Sequence, residues 1–134
     1  MTGYKHIETA VARFIAGRYR SAAEIGAGAN THASELIYRS GIDVFCVDLS
    51  IPDGILTVPY FRCDVYTPDL SLFSGVECIF AIRPIEEMMD ALIHLASVIN
   101  ADLYVYHLGF EGHNHPHRII NCGVLLCQYI TRQN

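Results

Sequence analysis

The sequence predicts an α/β domain: a mostly parallel sheet with helices on both faces and an antiparallel addition at one edge. Three observations carry this. Apolar runs of strand length alternate with helical patterns along most of the chain. The stretch from Ser21 to Ser50 reads as strand, glycine turn, helix, strand, one complete βαβ unit. The final apolar run, "IINCGVLLCQYI", folds back on itself around Asn121–Gly123, so the chain closes with a hairpin.

Taken in order, Ile7, Val11, Phe14 and Ile15 recur at helical spacing with Lys5, Glu8 and Arg13 on other faces, which predicts an amphipathic helix ending near Gly17. "SAAEIG" (21–26) is a short strand ending in glycine. "NTHASELIYRSG" follows as a helix, with Ala33, Leu36 and Ile37 as its stripe and Gly41 as its stop. "DVFCVDLS" (43–50) is a strand finishing in an acid, and "PDG" after it is turn chemistry. A short strand over Val58–Cys63 is expected to end at Asp64, and "TPDLSLFSGV" holds too many turn residues to be more than a loop or one helical turn. "ECIFAIRP" (77–84) is a buried strand. Pro84 suits the first position of the next helix, where its missing N–H is not needed, and Glu86 and Glu87 complement the helix dipole. That helix, "IEEMMDALIHLASVIN", is expected to bury Met88 or Met89, Leu92, Leu95, Ala96 and Ile99, and "ADLYVYHL" (101–108) is the fifth strand.

The chain of 134 residues shows no internal repeat, low-complexity segment or linker, and is expected to form one domain over 1–134. Hydrophobic residues make up 51% and charged residues 17%, the latter below the roughly 25% of soluble domains. Part of the surface is therefore expected to be apolar and covered by a second copy, a homodimer. A net charge of -5 argues against broad binding to nucleic acid or anionic membrane, and favours a small-molecule ligand or a protein partner. The five cysteines, scattered and without a CxxC pair, read as reduced core thiols of a cytoplasmic protein. The N-terminus has no secretory pattern and no run of 18 apolar residues occurs, so neither secretion nor membrane spanning is expected.

"EIGAGANTHA" (24–33) carries the chemistry. At the carboxyl end of the first parallel strand, Gly26 and Gly28 permit backbone geometry and a close ligand approach that side chains would block. Asp48, at the end of the second strand, stands where a carboxylate accepts hydrogen bonds from both ribose hydroxyls of an adenosine cofactor. Asp64, expected at the end of the third strand, can receive an adenine amino group. The dinucleotide fingerprint has a third glycine that allows close helix packing under a pyrophosphate, and here that position is Thr31. A cofactor without phosphates makes lighter demands, which tilts the choice from NAD toward S-adenosylmethionine.

The pattern Glu24-x-Gly26-x-Gly28 with Asp48 and Asp64 resembles the class I S-adenosylmethionine-dependent methyltransferases over residues 21 to about 110. That resemblance implies a three-layer, Rossmann-like α/β/α sheet of about six or seven strands. It puts Glu24, Gly26 and Gly28 beside the methionine part of the cofactor, Asp48 at the ribose and Asp64 near adenine. More narrowly, "EIGAGANTHASELIYRSGIDVFCVDLS", "DVYTPDLSLF", "FAIRPIEEM" and "INADLYVY" resemble a small, uncharacterised archaeal family of methyltransferase-like domains, which brings no established activity with it. Many amino-methylating members of the larger class carry Asn/Asp-Pro-Pro-aromatic after strand four, and this chain has Arg83-Pro84-Ile85 instead.

Arg83, at the row of strand ends, can clamp a carboxylate or phosphate, or equally form an ion pair with Glu24, Glu86 or Glu87. The expected cofactor-binding set is thus Glu24, Gly26, Gly28, Asn30, Asp48, Asp64 and Arg83. "HLGFEGHNHPH" brings His107, His113, His115 and His117 close in sequence; a zinc or nickel site is conceivable there, but the spacing fits no usual ligand pattern and solvated loop histidines are the better reading. His32 opens the helix after the glycine loop, where capping by Asn30 or Thr31 is the simplest role. No general base stands out among His32, Arg83 and His107. The expected function is binding of S-adenosylmethionine or a related adenosyl compound, with methyl transfer to an unnamed acceptor as one outcome. The alternatives are a module that keeps the fold without the chemistry, and an NAD-binding domain.

Overall fold

The computed structural model describes residues 3–109 and 115–134. The chain runs α1 (Gly3–Ala16), β1 (Ser21–Ile25), α2 (His32–Arg39), β2 (Asp43–Asp48), β3 (Tyr60–Arg62), β4 (Cys78–Ile82), α3 (Met89–Ile99), β5 (Asp102–Tyr106), β6 (Arg118–Asn121) and β7 (Leu125–Ile130). Single 3₁₀ turns occupy Leu70–Phe73 and Glu86–Met88. The seven strands form one sheet in the order β3-β2-β1-β4-β5-β7-β6. The first five are parallel, and β7 runs antiparallel to both β5 and β6.

Strand alternation divides the core into two layers. Ala22, Val44, Cys46, Phe80 and Tyr104 point to one face, where they meet Val11, Ala12 and Ile15 of α1 and Ala33 and Ile37 of α2. Ala23, Val47, Ile79, Leu103 and Val105 point to the other, against Met89, Leu92, Leu95 and Ala96 of α3 and Phe73 of the first 3₁₀ turn. β1, β4 and β5 are thus buried on both faces, which is why their sequences are nearly unbroken apolar runs. Each fully buried leucine of α3 contributes roughly 2 kcal/mol by removal from water.

Four local expectations need correction. On α1, the fully buried stripe is Val11, Ala12, Ile15 and also Glu8, which is 1% exposed, while Ile7 and Phe14 are only half-buried. β3 is three residues long and stops at Arg62, so Asp64 lies beyond the strand, its Oδ1 accepting the Tyr66 N–H at 2.9 Å. Pro84 does not begin a helix: Arg83 takes a left-handed turn (φ 57°), Ile85 stays extended, and coiling starts only at Glu86. The backbone must first turn off the strand row before it can wind. Ile99 is half-buried rather than part of the core.

Candidate functional site

The site follows from the strand order. β1 connects to β2 through α2 on one face of the sheet, and β4 connects to β5 through α3 on the other. At the carboxyl ends of β1 and β4 the chain therefore departs in opposite directions and leaves a crevice, the usual ligand position in open α/β sheets. A cavity of about 320 Å³ lies at these strand ends, lined by Gly26, Asp48, Asp64, Tyr66, Arg83 and Met88 among others. Most of the remaining wall is apolar, including Ile25, Val47, Val65 and Ile85.

The glycine loop is fixed by hydrogen bonds to β2 and β3. Gly26 (φ 73°) and Gly28 (φ 58°) both occupy the left-handed region, which only glycine enters freely. Gly26 N–H donates to the Val47 carbonyl at 2.8 Å, Gly28 N–H to Asp48 Oδ2 at 2.8 Å, and the Tyr60 hydroxyl to the Gly28 carbonyl at 2.9 Å. Asp48 Oδ1 accepts from the Leu49 N–H at 2.7 Å. An ionised carboxylate has about four lone-pair sites, so Asp48 keeps acceptor capacity toward the cavity it lines. One side chain sits against the loop: the Met88 methyl is 3.3 Å from where a Cβ on Gly26 would stand. Being a flexible thioether, it can yield to a ligand crossing Gly26.

A second layer of polar groups lies behind the loop, under α1 and α2. Glu24 is buried and accepts a hydrogen bond from Ser34 Oγ at 2.7 Å. Burial pushes its carboxyl up to about 7, with the charge of Glu8 adding to the rise against the lowering effect of Ser34. Glu8 Oε2 accepts from Asn30 Nδ2 and from Arg83 Nη1, each at 2.9 Å. The Arg83 guanidinium also lies 5.6 Å from the Tyr106 ring centroid, a cation–π distance. Its left-handed backbone, with the N–H bonded to the Tyr106 carbonyl at 2.7 Å, stores about 1 kcal/mol or more of strain in a non-glycine residue.

Of the residues singled out in the sequence, the cavity brings together Gly26, Asp48, Asp64 and Arg83. Gly28 stands behind it as Asp48's donor, while Glu24, which is buried, and Asn30, which is exposed and reaches back to Glu8, are not on the lining. The ion-pair partner of Arg83 is Glu8, not Glu24, Glu86 or Glu87. At the start of α2, Asn30 Oδ1 accepts the His32 N–H at 3.3 Å, whereas the Thr31 hydroxyl donates to Glu35 and caps nothing. Glu8 is the participant the sequence reading passed over. Its signal is there: Glu8, Val11, Ala12 and Ile15 stand at i, i+3, i+4 and i+7, the positions of one helix face.

The histidine segment is elsewhere, around Tyr129 at the antiparallel edge. His107 Nε2 is 2.5 Å from the Tyr129 hydroxyl, His117 packs its ring 5.2 Å from that of Tyr129, and His115 Nε2 donates to Asp90 Oδ1 at 2.7 Å. His113 falls outside the described residues, and among the described residues no group of three histidine, cysteine or acidic side chains is arranged to hold a metal ion. Among those residues, too, no helix is long and apolar enough to cross a membrane.

Comparison with known proteins agrees with this architecture. A solved structure of magnesium protoporphyrin IX methyltransferase from Synechocystis PCC 6803 with bound SAM superposes with a TM-score of 0.60 at 13% identity, covering 96% of this chain and 80% of that one. The sugar N-methyltransferase from Streptoalloteichus sp ATCC 53650 gives a TM-score of 0.55 at 17% identity over 87% of this chain and 54% of its own. At such identities the likeness is one of fold, that of class I SAM-dependent methyltransferases. In sequence, a protein of Archaeoglobus fulgidus is 30% identical over 128 residues, 92% of this chain and 95% of its own length. One from Pyrococcus abyssi is 27% identical over 102 residues, 71% of this chain and 77% of its own. The model of an uncharacterised protein family, UPF0146, matches residues 6–129, and with that span and these archaeal relatives the chain belongs to UPF0146.

Proposed function

We propose that the protein binds S-adenosylmethionine or a close adenosyl relative in the crevice between the 26–28 loop and Asp48. The observation that carries this reading is the hydrogen bond from Gly28 N–H to Asp48 Oδ2 at 2.8 Å, which joins a left-handed glycine loop and a carboxylate into one cradle at the sheet's switch point. In this reading the ribose hydroxyls donate to Asp48. Adenine lies between Leu49, Val65 and Ile85, with Asp64 within reach of its amino group, and all four of these residues line the cavity. The loop of this chain supports a sulfonium cofactor more than a pyrophosphate, because the third position of the fingerprint is Thr31 and not glycine.

Calorimetry with S-adenosylmethionine, S-adenosylhomocysteine and NAD in parallel tests it. Binding of the first two without the third is expected; NAD as the tightest ligand, or no binding by any of the three, refutes the reading.

The same cavity favours a ligand-binding module over a methyltransferase working alone. Its side chains are mostly apolar or acidic, the one base present, Arg83, is engaged by Glu8, and the turn after β4 carries Arg83-Pro84-Ile85. If transfer occurs, the sulfonium already supplies the activation, and the protein contributes alignment and exclusion of water. A second copy completes the proposal: Ile119 (52% exposed) and Leu125 (58%) on the edge hairpin are apolar and open, and light scattering is expected to report a dimer.

A further inference from the structure

Behind the loop lies a buried acceptor that no described residue satisfies. Glu8 Oε2 takes two hydrogen bonds, but among the described residues Glu8 Oε1 has no partner, although the side chain is only 1% exposed. A buried carboxylate oxygen left unpaired is expensive, and a buried ion pair such as Glu8–Arg83 is seldom retained for stability alone. Glu24, also buried, lies close enough for the charge of Glu8 to raise its carboxyl further, and Arg83 is the one cation bonded to Glu8 among the described residues. An anion entering beside Glu8 would add to that repulsion, and a cation would relieve it. The other neighbours of Glu8, an amide nitrogen and a guanidinium nitrogen, are donors and cannot coordinate a metal ion. A cation that is itself a hydrogen-bond donor fits both requirements.

We infer that Glu8 Oε1 is the acceptor for a primary ammonium group, reached from the crevice past Arg83, which lines the cavity and bonds Glu8 at once. Glu8 thereby selects among ligands by the presence of that ammonium. Two sources supply the same chemistry: the amino-acid tail of an adenosyl ligand, which rests on the function proposed above, or a separate amine, which does not. Burial gives the pairing its strength, because a charge-assisted hydrogen bond out of water is stronger than the same contact at the surface.

The test compares wild type with Glu8→Gln, which keeps the shape and removes the charge, using three probes: S-adenosylhomocysteine, 5′-methylthioadenosine, which has the same nucleoside and a thioether but no amino acid, and n-butylammonium. If the adenosyl ligand supplies the ammonium, wild type binds S-adenosylhomocysteine at least tenfold tighter than methylthioadenosine, and Glu8→Gln abolishes the preference while leaving methylthioadenosine unchanged. If a separate amine supplies it, the two nucleosides bind alike in both proteins, or neither binds, and n-butylammonium binds wild type but not the variant. Should the variant fail to fold, glutamate labelled with 13C at the carboxyl reads the same event in wild type, as a shift of the Glu8 resonance with ammonium-bearing probes and none with methylthioadenosine. Overturning the inference takes equal affinities in both proteins for every ammonium probe, or an unmoved Glu8 resonance, a result compatible with tight nucleoside binding and hence with the function proposed above. Absence of all nucleoside binding with Glu8-dependent uptake of n-butylammonium removes that function and leaves the ammonium site.

Discussion

The two ends of the sheet handle buried polar groups in opposite ways. At the amino end, Asp102 opens β5 and accepts from the Tyr19 hydroxyl through Oδ2 and from Arg132 N–H at 2.6 Å through Oδ1. Tyr19 and Tyr104 share a further hydrogen bond, and the Arg132 guanidinium stacks 5.6 Å from the Tyr19 ring centroid. Glu77 accepts the Arg20 N–H at 2.8 Å and draws in Arg132, and the Arg20 amide together with these cations holds its carboxyl below the usual range. Both oxygens of Asp102 are satisfied, and the network ties the α1–β1 connection, the starts of β4 and β5 and the C-terminal tail into one closure. At the carboxyl end, Glu24 is buried with its carboxyl pushed up to about 7, Glu8 keeps an oxygen without a partner among the described residues, and Arg83 is strained. Saturated polar groups fasten a fold. A polar group held without a partner beside a strand-end crevice fits the ligand site proposed above.

Mutation of each end should separate stability from binding. Asp102→Ala leaves the Tyr19 hydroxyl with Tyr104 alone and strands the Arg132 amide, and is expected to lower stability by about 3 kcal/mol in urea unfolding while leaving adenosyl affinity unchanged. A loss under 1 kcal/mol would mean that the amino-end network is ornamental.

Glu24→Gln should act in the opposite direction and only above acid pH. Its carboxyl is raised from 4.5 to about 7 in the fold, so the unfolded chain releases its proton first as pH rises. The contribution of Glu24 is therefore whole below pH 4.5, declines between there and about 7, and stays lost above, by about 3 kcal/mol. Relative to wild type, Glu24→Gln is expected to gain stability by that amount between pH 4 and pH 8, measured by denaturant midpoints. Parallel pH profiles of the two proteins contradict it.

Asp48→Ala removes the proposed ribose acceptor, and is expected to weaken adenosyl binding about a hundredfold, about 2.7 kcal/mol, with the circular dichroism spectrum retained. Unchanged affinity moves the sugar elsewhere. The smallest effect belongs to Gly28→Ala, where the left-handed φ of 58° rather than crowding is the obstacle, since the nearest atom to an added Cβ is Asp48 Oδ2 at 3.9 Å. A cost of about 1 kcal/mol in thermal unfolding is expected, with a parallel loss of binding as the amide leaves Asp48.

Much of this site can be read from local pattern. Gly26 and Gly28 followed by an acid at the end of the next apolar run announce a ligand loop, because turn geometry and strand ends leave marks within a few residues. Asp64 illustrates the limit: it is on the cavity wall, yet two residues beyond the strand expected to deliver it, since a three-residue edge strand has too few side chains to fix its own boundary. Arg83 and Glu8 are 75 residues apart, and no period in either segment points to the other. Beside the stripe of Ile7, Val11, Phe14 and Ile15, Glu8 reads as lying on another face of the helix. Its place on the buried stripe makes sense only once α1 is laid over the end of β4.

By itself the sequence determined the layered α/β plan, the parallel run of strands and the glycine loop with Asp48, since these depend on periodicity and on backbone freedom at single positions. The tertiary structure decided which polar groups meet: Glu8, Glu24, Asn30 and Arg83 come from four segments, and only their packing at one end of the sheet creates a buried carboxyl with an oxygen that no described residue satisfies. Local propensity is a property of neighbours in the chain, whereas charge balance in a low-dielectric pocket is a property of neighbours in space.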